Sequence, residues 1–192
     1  MKQRYVMSVR ADAFRQTGER ILAAAYARFK VALFDEVTLD QIAADAEVTV
    51  QTVIRRFGSK AGIVAELTRI REAQVDAHRR DAPVGNLAGA VANLIEFYEA
   101  EGDLMMHLLR QESRVRAFAE IAEHGRKVHV EWCARVFASG LEARSGVARK
   151  RLAAQLVAIC DLYTWHLLRR QQRLSQRQTK LALMELLEGA LS

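Results

Sequence analysis

Residues 38–67 read TLDQIAADAEVTVQTVIRRFGSKAGIVAEL and set two helix-start signals, Thr38 and Thr49, close together. Thr38-Leu39-Asp40-Gln41 has the form of a capping box: the Thr38 hydroxyl accepts from the Gln41 amide, and the Gln41 side chain reaches back to the Thr38 amide. Val37 and Ile42 flank it as a hydrophobic staple. The helix this opens is short, because Ile42, Ala43 and Ala46 are followed by Glu47-Val48 and then by Thr49, a second N-cap. Over residues 50–57 the spacing predicts a helix that buries Val53 and Phe57 and turns Gln51, Thr52, Arg55 and Arg56 away from them. Gly58 stops it, and Ser59 caps a further helix reaching about residue 78. Two short helices joined by a tight turn result, and residues 48–60 contain Arg55, Arg56 and Lys60 but no acid.

Working outward, Ile21, Leu22, Ala25, Phe29 and Leu33 recur at helical spacing and predict a first helix over residues 13–33, preceded by a loose basic arm over residues 1–12. Residues 81–85, with the only Pro at 83, form a loop. Beyond it, helices are expected over 87–101, 103–111, 114–141, 147–172 and 175–191. With 192 residues, 51% of them apolar, the chain has enough material for a substantial core. Its Ala, Leu, Glu, Arg and Gln favour helix, so the fold class is all-α, with a division into residues 1–62 and 63–192. Neither an internal repeat nor a low-complexity tract interrupts this pattern.

The net charge of +6 permits a polyanionic partner but does not locate it: residues 1–60 hold ten Lys/Arg against seven Asp/Glu, and the remainder nineteen against sixteen. The acid-free tract around α-helical residues 50–57 is the sharper indication. No run approaches the roughly 18 apolar residues that span a bilayer, and no signal-peptide pattern opens the chain, so a cytoplasmic location without a membrane partner is expected. Cys133 and Cys160 lack CxxC spacing and suit reduced, buried thiols.

The order IAADAEVT followed by T-V-I-x-R-F-G-S-K resembles the DNA-binding domain of the TetR family of bacterial regulators, over about 50 residues from the first helix into the fourth. The stretches HVEWCARVF and CDLYTWHLLRR resemble the helical bodies of its members more thinly. The resemblance implies an N-terminal three-helix helix-turn-helix domain followed by an antiparallel helical domain for ligand binding and dimerisation. By position in the motif, Val50, Gln51 and Arg55 are the candidates for base edges: Val50 for a thymine methyl, Gln51 for adenine, Arg55 for guanine. Thr38, Thr49, Thr52, Arg56 and Lys60 are the candidates for phosphates. Two residues depart from the family pattern. Glu47 stands where Gly is common, so the turn is expected to do without a left-handed position, and Ile54 replaces a frequent phosphate-binding Tyr.

For the C-terminal body the resemblance implies an effector pocket. Phe97, Met105, Met106, Leu109, Phe118, Trp132, Tyr163 and Trp165 are the candidate lining, with His107, His129 or His166 as a polar handle, although Met and aromatic residues at helical spacing also suit ordinary core. His129 and Cys133 lie four apart, but no nearby His or Cys completes a metal set, so no metal and no cofactor is expected. No phosphate loop, nucleophile elbow or triad points to an enzyme. Leu152, Leu156, Ile159, Tyr163 and Leu167, then Leu181, Met184, Leu187 and Leu191, form stripes suited to a homodimer, whose two-fold axis would present two recognition helices to a palindromic double-stranded operator. The expected function is a repressor released by a small apolar effector. Two others stay open: DNA binding without an effector, and a helical carrier or enzyme.

Overall fold

The first helix begins well before the expected position. A computed structural model describes the backbone of residues 2–192 and the side chains from residue 12 onward. In it α1 runs Lys2–Phe29, so the arm expected to be loose is helical; only Met1 lies outside the described residues. Residues 2–17 contain neither Gly nor Pro, and nothing in them stops a helix from propagating backward. A short 3-10 turn, Phe34–Glu36, then leads into α2 (Leu39–Asp45), α3 (Val50–Phe57) and α4 (Lys60–Arg80). No strand occurs among the described residues, so the chain is all-α.

The chain forms two compact units, Met1–Arg71 and Glu72–Ser192, and α4 begins in the first and ends in the second. In the first unit, α1 packs on α2 and α2 on α3. Ile21, Ala25 and Phe29 from α1, Ile42 and Ala43 from α2, Val53 from α3 and Ile63 from α4 are buried. All but Ile63 are among the predicted stripe positions; of the other predicted ones, Leu22 and Phe57 are only half-buried and Leu33 is exposed. The staple residues Val37 and Ile42 are both buried beside the capping box.

The second unit comprises the end of α4, α5 (Leu87–Leu109), α6 (Arg116–Val136), α7 (Ala138–Glu142), α8 (Gly146–Ile159), α9 (Leu162–His166), a π-helical turn (Leu167–Gln171) and α10 (Gln176–Leu191). α5 packs against α6, α9 and α10, while α8 packs against α6, α7 and α10. Three boundaries differ from expectation. α5 is continuous where a break was expected near residue 102, because buried Gly102 lets the Trp165 ring lie directly on the helix. The helix expected over 114–141 divides at Phe137 into α6 and α7. The one expected over 147–172 divides at residues 160–161, where the Asp161 carboxylate accepts from the Tyr163 amide at 2.8 Å and starts α9.

Candidate nucleic-acid interface

The expected caps form. The Gln41 amide donates to the Thr38 hydroxyl at 3.2 Å, and the Thr38 amide donates to Gln41 Oε1 at 2.9 Å. The Thr49 hydroxyl accepts from the Thr52 amide at 3.2 Å, and the two hydroxyls lie 2.9 Å apart. These bonds satisfy amides that each helix start leaves without an internal partner. The turn between α2 and α3 is made by the Val48 amide donating to the Ala43 carbonyl at 2.9 Å, with Glu47 at φ 53°. Contrary to expectation, the turn therefore has its left-handed position, and a glutamate fills it.

Val53 anchors α3 in the core, and Gln51, Ile54 and Arg55 face outward and are exposed, with Val50 and Thr52 half-buried beside them. Thr38 and Thr49 are also exposed. Ile54 and Val50, one turn apart, make an apolar margin along the polar face. One side of α3 therefore presents an amide, a guanidinium and two branched apolar side chains, with no carboxylate among them. A helix of this kind can enter the major groove and meet base edges.

The other two cations of the motif are engaged within the unit. The Lys60 ammonium donates to the Phe34 carbonyl at 2.7 Å and to the Val37 carbonyl at 2.6 Å, leaving one of its three N–H groups for another partner. It thereby ties the start of α4 to the turn before α2. The Arg56 guanidinium lies 3.9 Å from the centre of the Phe14 ring and folds against Gly18, where any larger side chain would displace it. Sequence spacing could not reveal this, since Phe14 and Gly18 belong to α1.

A further brace escaped sequence reading. Arg28 of α1 makes a fork to Asp45 at the end of α2, at 2.6 and 2.8 Å. The hydrogen bond from Arg28 holds the Asp45 carboxyl below its ordinary pKa. An aspartate lowered in this way contributes stability above its unfolded pKa and loses it as the pH falls through the folded one.

Residues 21–67 match the profile of the bacterial regulatory proteins, tetR family, spanning the buried stripe of α1, both short helices and the start of α4. Over these residues the chain is similar to the tetR family. It is a DNA-binding transcriptional regulator. No curated protein matches it significantly. Among solved structures, a transcriptional regulator from Rhodococcus sp. Rha1 is 17% identical, with TM-score 0.69 over 91% of this chain and 95% of its own. NalD of Pseudomonas aeruginosa, described as the secondary repressor of the MexAB-OprM multidrug efflux pump, is 19% identical, with TM-score 0.66 over 92% of this chain and 97% of its own. SmeT in complex with triclosan is 19% identical, with TM-score 0.64 over 91% and 90%. At these identities the likeness establishes a common TetR-like fold.

In the second unit, Phe97, Met106, Trp132 and Trp165 belong to one buried core, with Met105 and Leu109 packed against it. Phe118 is buried as well. Tyr163 is 57% exposed and does not join them. Of the expected polar handles, only His129 is buried; its Nε2–H donates to the Val157 carbonyl at 3.0 Å, which fixes the proton on that nitrogen. Cys133 and Cys160 are free and buried, as expected of structural thiols. The hydrogen bond between them holds the Cys133 thiol below its ordinary pKa and pushes Cys160 up. No group of three or more metal-ligating side chains occurs among the described residues, and no helix there is long and apolar enough to cross a membrane.

Proposed function

We propose that the chain is a cytoplasmic, homodimeric repressor that reads a palindromic operator through α3 and is released when a small effector enters the helical unit. The observation that carries the DNA-reading part is the outward face of α3: Gln51 and Arg55 exposed on a helix that Val53 fixes from behind. Val50, Gln51 and Arg55 read base edges; Thr38, Thr49, Thr52, Arg56 and the remaining N–H of Lys60 meet phosphates. A phosphate contact at Lys60 leaves its two carbonyl bonds intact, whereas one at Arg56 has to compete with Phe14. The effector part draws support from the NalD and SmeT likenesses and from Phe97, Met105, Met106, Leu109, Phe118, Trp132 and Trp165, with Tyr163 at the margin, as its apolar surroundings.

Operator titrations test the assignment. Gln51→Ala or Arg55→Ala should lower discrimination between cognate and mutated operator by about 1–3 kcal/mol through loss of bidentate base contacts. Unchanged base preference in both variants would remove α3 from the reading role. A second reading, DNA binding without an effector, is favoured by the close packing of Phe97, Met106, Trp132 and Trp165 in one core. Calorimetry separates the two: an effector that weakens operator binding by some factor must bind more weakly by that same factor when operator is present.

A further inference from the structure

Near its C-terminal end α4 carries an arginine into the interior of the second unit. Arg79 is only 7% exposed, and its guanidinium carbon lies 5.0 Å from the ring centre of Phe97, 5.3 Å from Trp132 and 5.6 Å from Tyr98. A hydrogen bond links it to the Tyr98 hydroxyl, which itself donates to the Cys160 carbonyl at 3.0 Å. Arg79 Nε and Nη1 are buried without a hydrogen-bond partner, and no ion pair reaches the side chain among the described residues. A guanidinium cannot shed its charge in a protein, so such burial is costly and aromatic faces compensate for only part of it. The main chain here is held independently: Arg135 donates to the Arg79 carbonyl at 2.6 Å and to the Ala82 carbonyl at 3.1 Å.

The polar groups around Arg79 have the character of a receptor for an anion. Trp132 Nε1, a donor only, is buried and unpartnered; His129 Nδ1 is also buried and unpartnered but, with the proton on Nε2, it is an acceptor and adds nothing for an anion. The Asp161 charge acts on Tyr98 and Cys160, and its Oδ1 accepts from the Tyr163 amide, but no ion pair joins it to Arg79. Of the two thiols that feel the Arg79 charge, Cys133 is the one held below its ordinary pKa and so the one that can supply a negative charge there. A single fixed positive charge walled by Phe97, Tyr98 and Trp132 matches a monoanion on an apolar body better than a multiply charged phosphate, which needs several cations.

We propose that Arg79, together with the unpartnered indole N–H of the Trp132 ring packed against it, anchors a buried subsite for the carboxylate of a small, otherwise apolar organic acid. This rests on the effector-binding role proposed above for the second unit and gives that effector a chemical class. Binding pairs the guanidinium with the carboxylate and lays the apolar part of the acid against the surrounding rings.

The test uses the full chain without DNA, with thermal melting and tryptophan fluorescence as readouts and benzoate, phenylacetate and octanoate as probes, each beside its primary amide. At least one carboxylate should raise the melting midpoint and change the fluorescence saturably, while its amide does neither. Arg79→Met should abolish that response yet melt at or above the wild-type midpoint, because an apolar side chain replaces an unpaired charge. Trp132→Phe, which keeps a ring and removes the N–H, should weaken the carboxylate about tenfold or more and serves if Arg79→Met does not fold. Cys133→Ser should bind the acid like wild type. Equal responses to acid and amide, no response to any of the three acids, or undiminished binding by Arg79→Met or Trp132→Phe would overturn the proposal. So would a lowered midpoint in Cys133→Ser with lost carboxylate binding, which would make the Cys133 thiolate the partner of Arg79. Operator binding is measured separately, so DNA reading and response to an effector of another class stand or fall by themselves.

Discussion

Glu47 and Lys60 affect local stability in opposite directions, in places where the motif alone suggests other roles. A non-glycine residue at φ 53° costs on the order of 1–2 kcal/mol, and glycine returns roughly 0.5–1 kcal/mol of that as lost chain entropy. The Glu47–Arg20 ion pair, 3.5 Å long with Glu47 85% exposed, contributes almost nothing against this. Glu47→Gly should therefore stabilise the chain by about 0.5–1 kcal/mol in denaturant unfolding; a loss of stability would show that the turn needs its side chain. Lys60→Ala removes two bonds to main-chain carbonyls and should cost about 1–3 kcal/mol of stability. It should also lower the salt slope of DNA binding by about one unit. A stable variant with an unchanged slope would contradict both roles. The caps at Thr38 and Thr49 were legible because capping is local chemistry. The Lys60, Arg56 and Arg28 contacts were not, because each joins residues that only the tertiary fold brings together.

Helix boundaries were legible where a cap or breaker marks them and obscure where apolar periodicity runs through a junction. Leu152, Leu156 and Ile159 lie before the junction at residue 160, and Leu162 and Trp165 lie after it, at spacings that read as one helix. Only Asp161, read as an N-cap, signals the change of direction. Gly102 misled in the opposite sense: it resembles a helix breaker but serves close packing. A methyl group there would lie 2.5 Å from the Trp165 ring, which is fully buried and donates from Nε1 to Glu99 at 3.0 Å. Relief of helix entropy favours Gly102→Ala by roughly 0.5–1 kcal/mol, but overpacking costs about 1–3 kcal/mol, so the variant should be less stable by about 1–2 kcal/mol. Equilibrium unfolding followed by tryptophan fluorescence decides the sign. A more stable variant would show that Trp165 moves aside freely.

At the scale of the molecule, the apolar stripes expected at the C-terminus separate into two sets. Leu152, Leu156 and Leu187 are buried in the chain's own core, whereas Tyr163, Leu167 and Leu181, joined by Leu186, remain 45–57% exposed. This second set is the surface that dimerisation would cover. Leu181→Glu, which disturbs little within the chain, should convert dimer to monomer in sedimentation and weaken binding to a two-half-site operator; a dimer that persists would move the interface elsewhere. The net charge is +3 over residues 1–60 and +3 over the remainder and does not single out another footprint, so we assign sequence-specific recognition to α3. Selection from randomised duplex DNA by the purified full chain tests that claim most directly. An enriched palindrome whose half-sites lie about one helical turn apart is expected. Binding that is independent of sequence and vanishes with modest salt would contradict it.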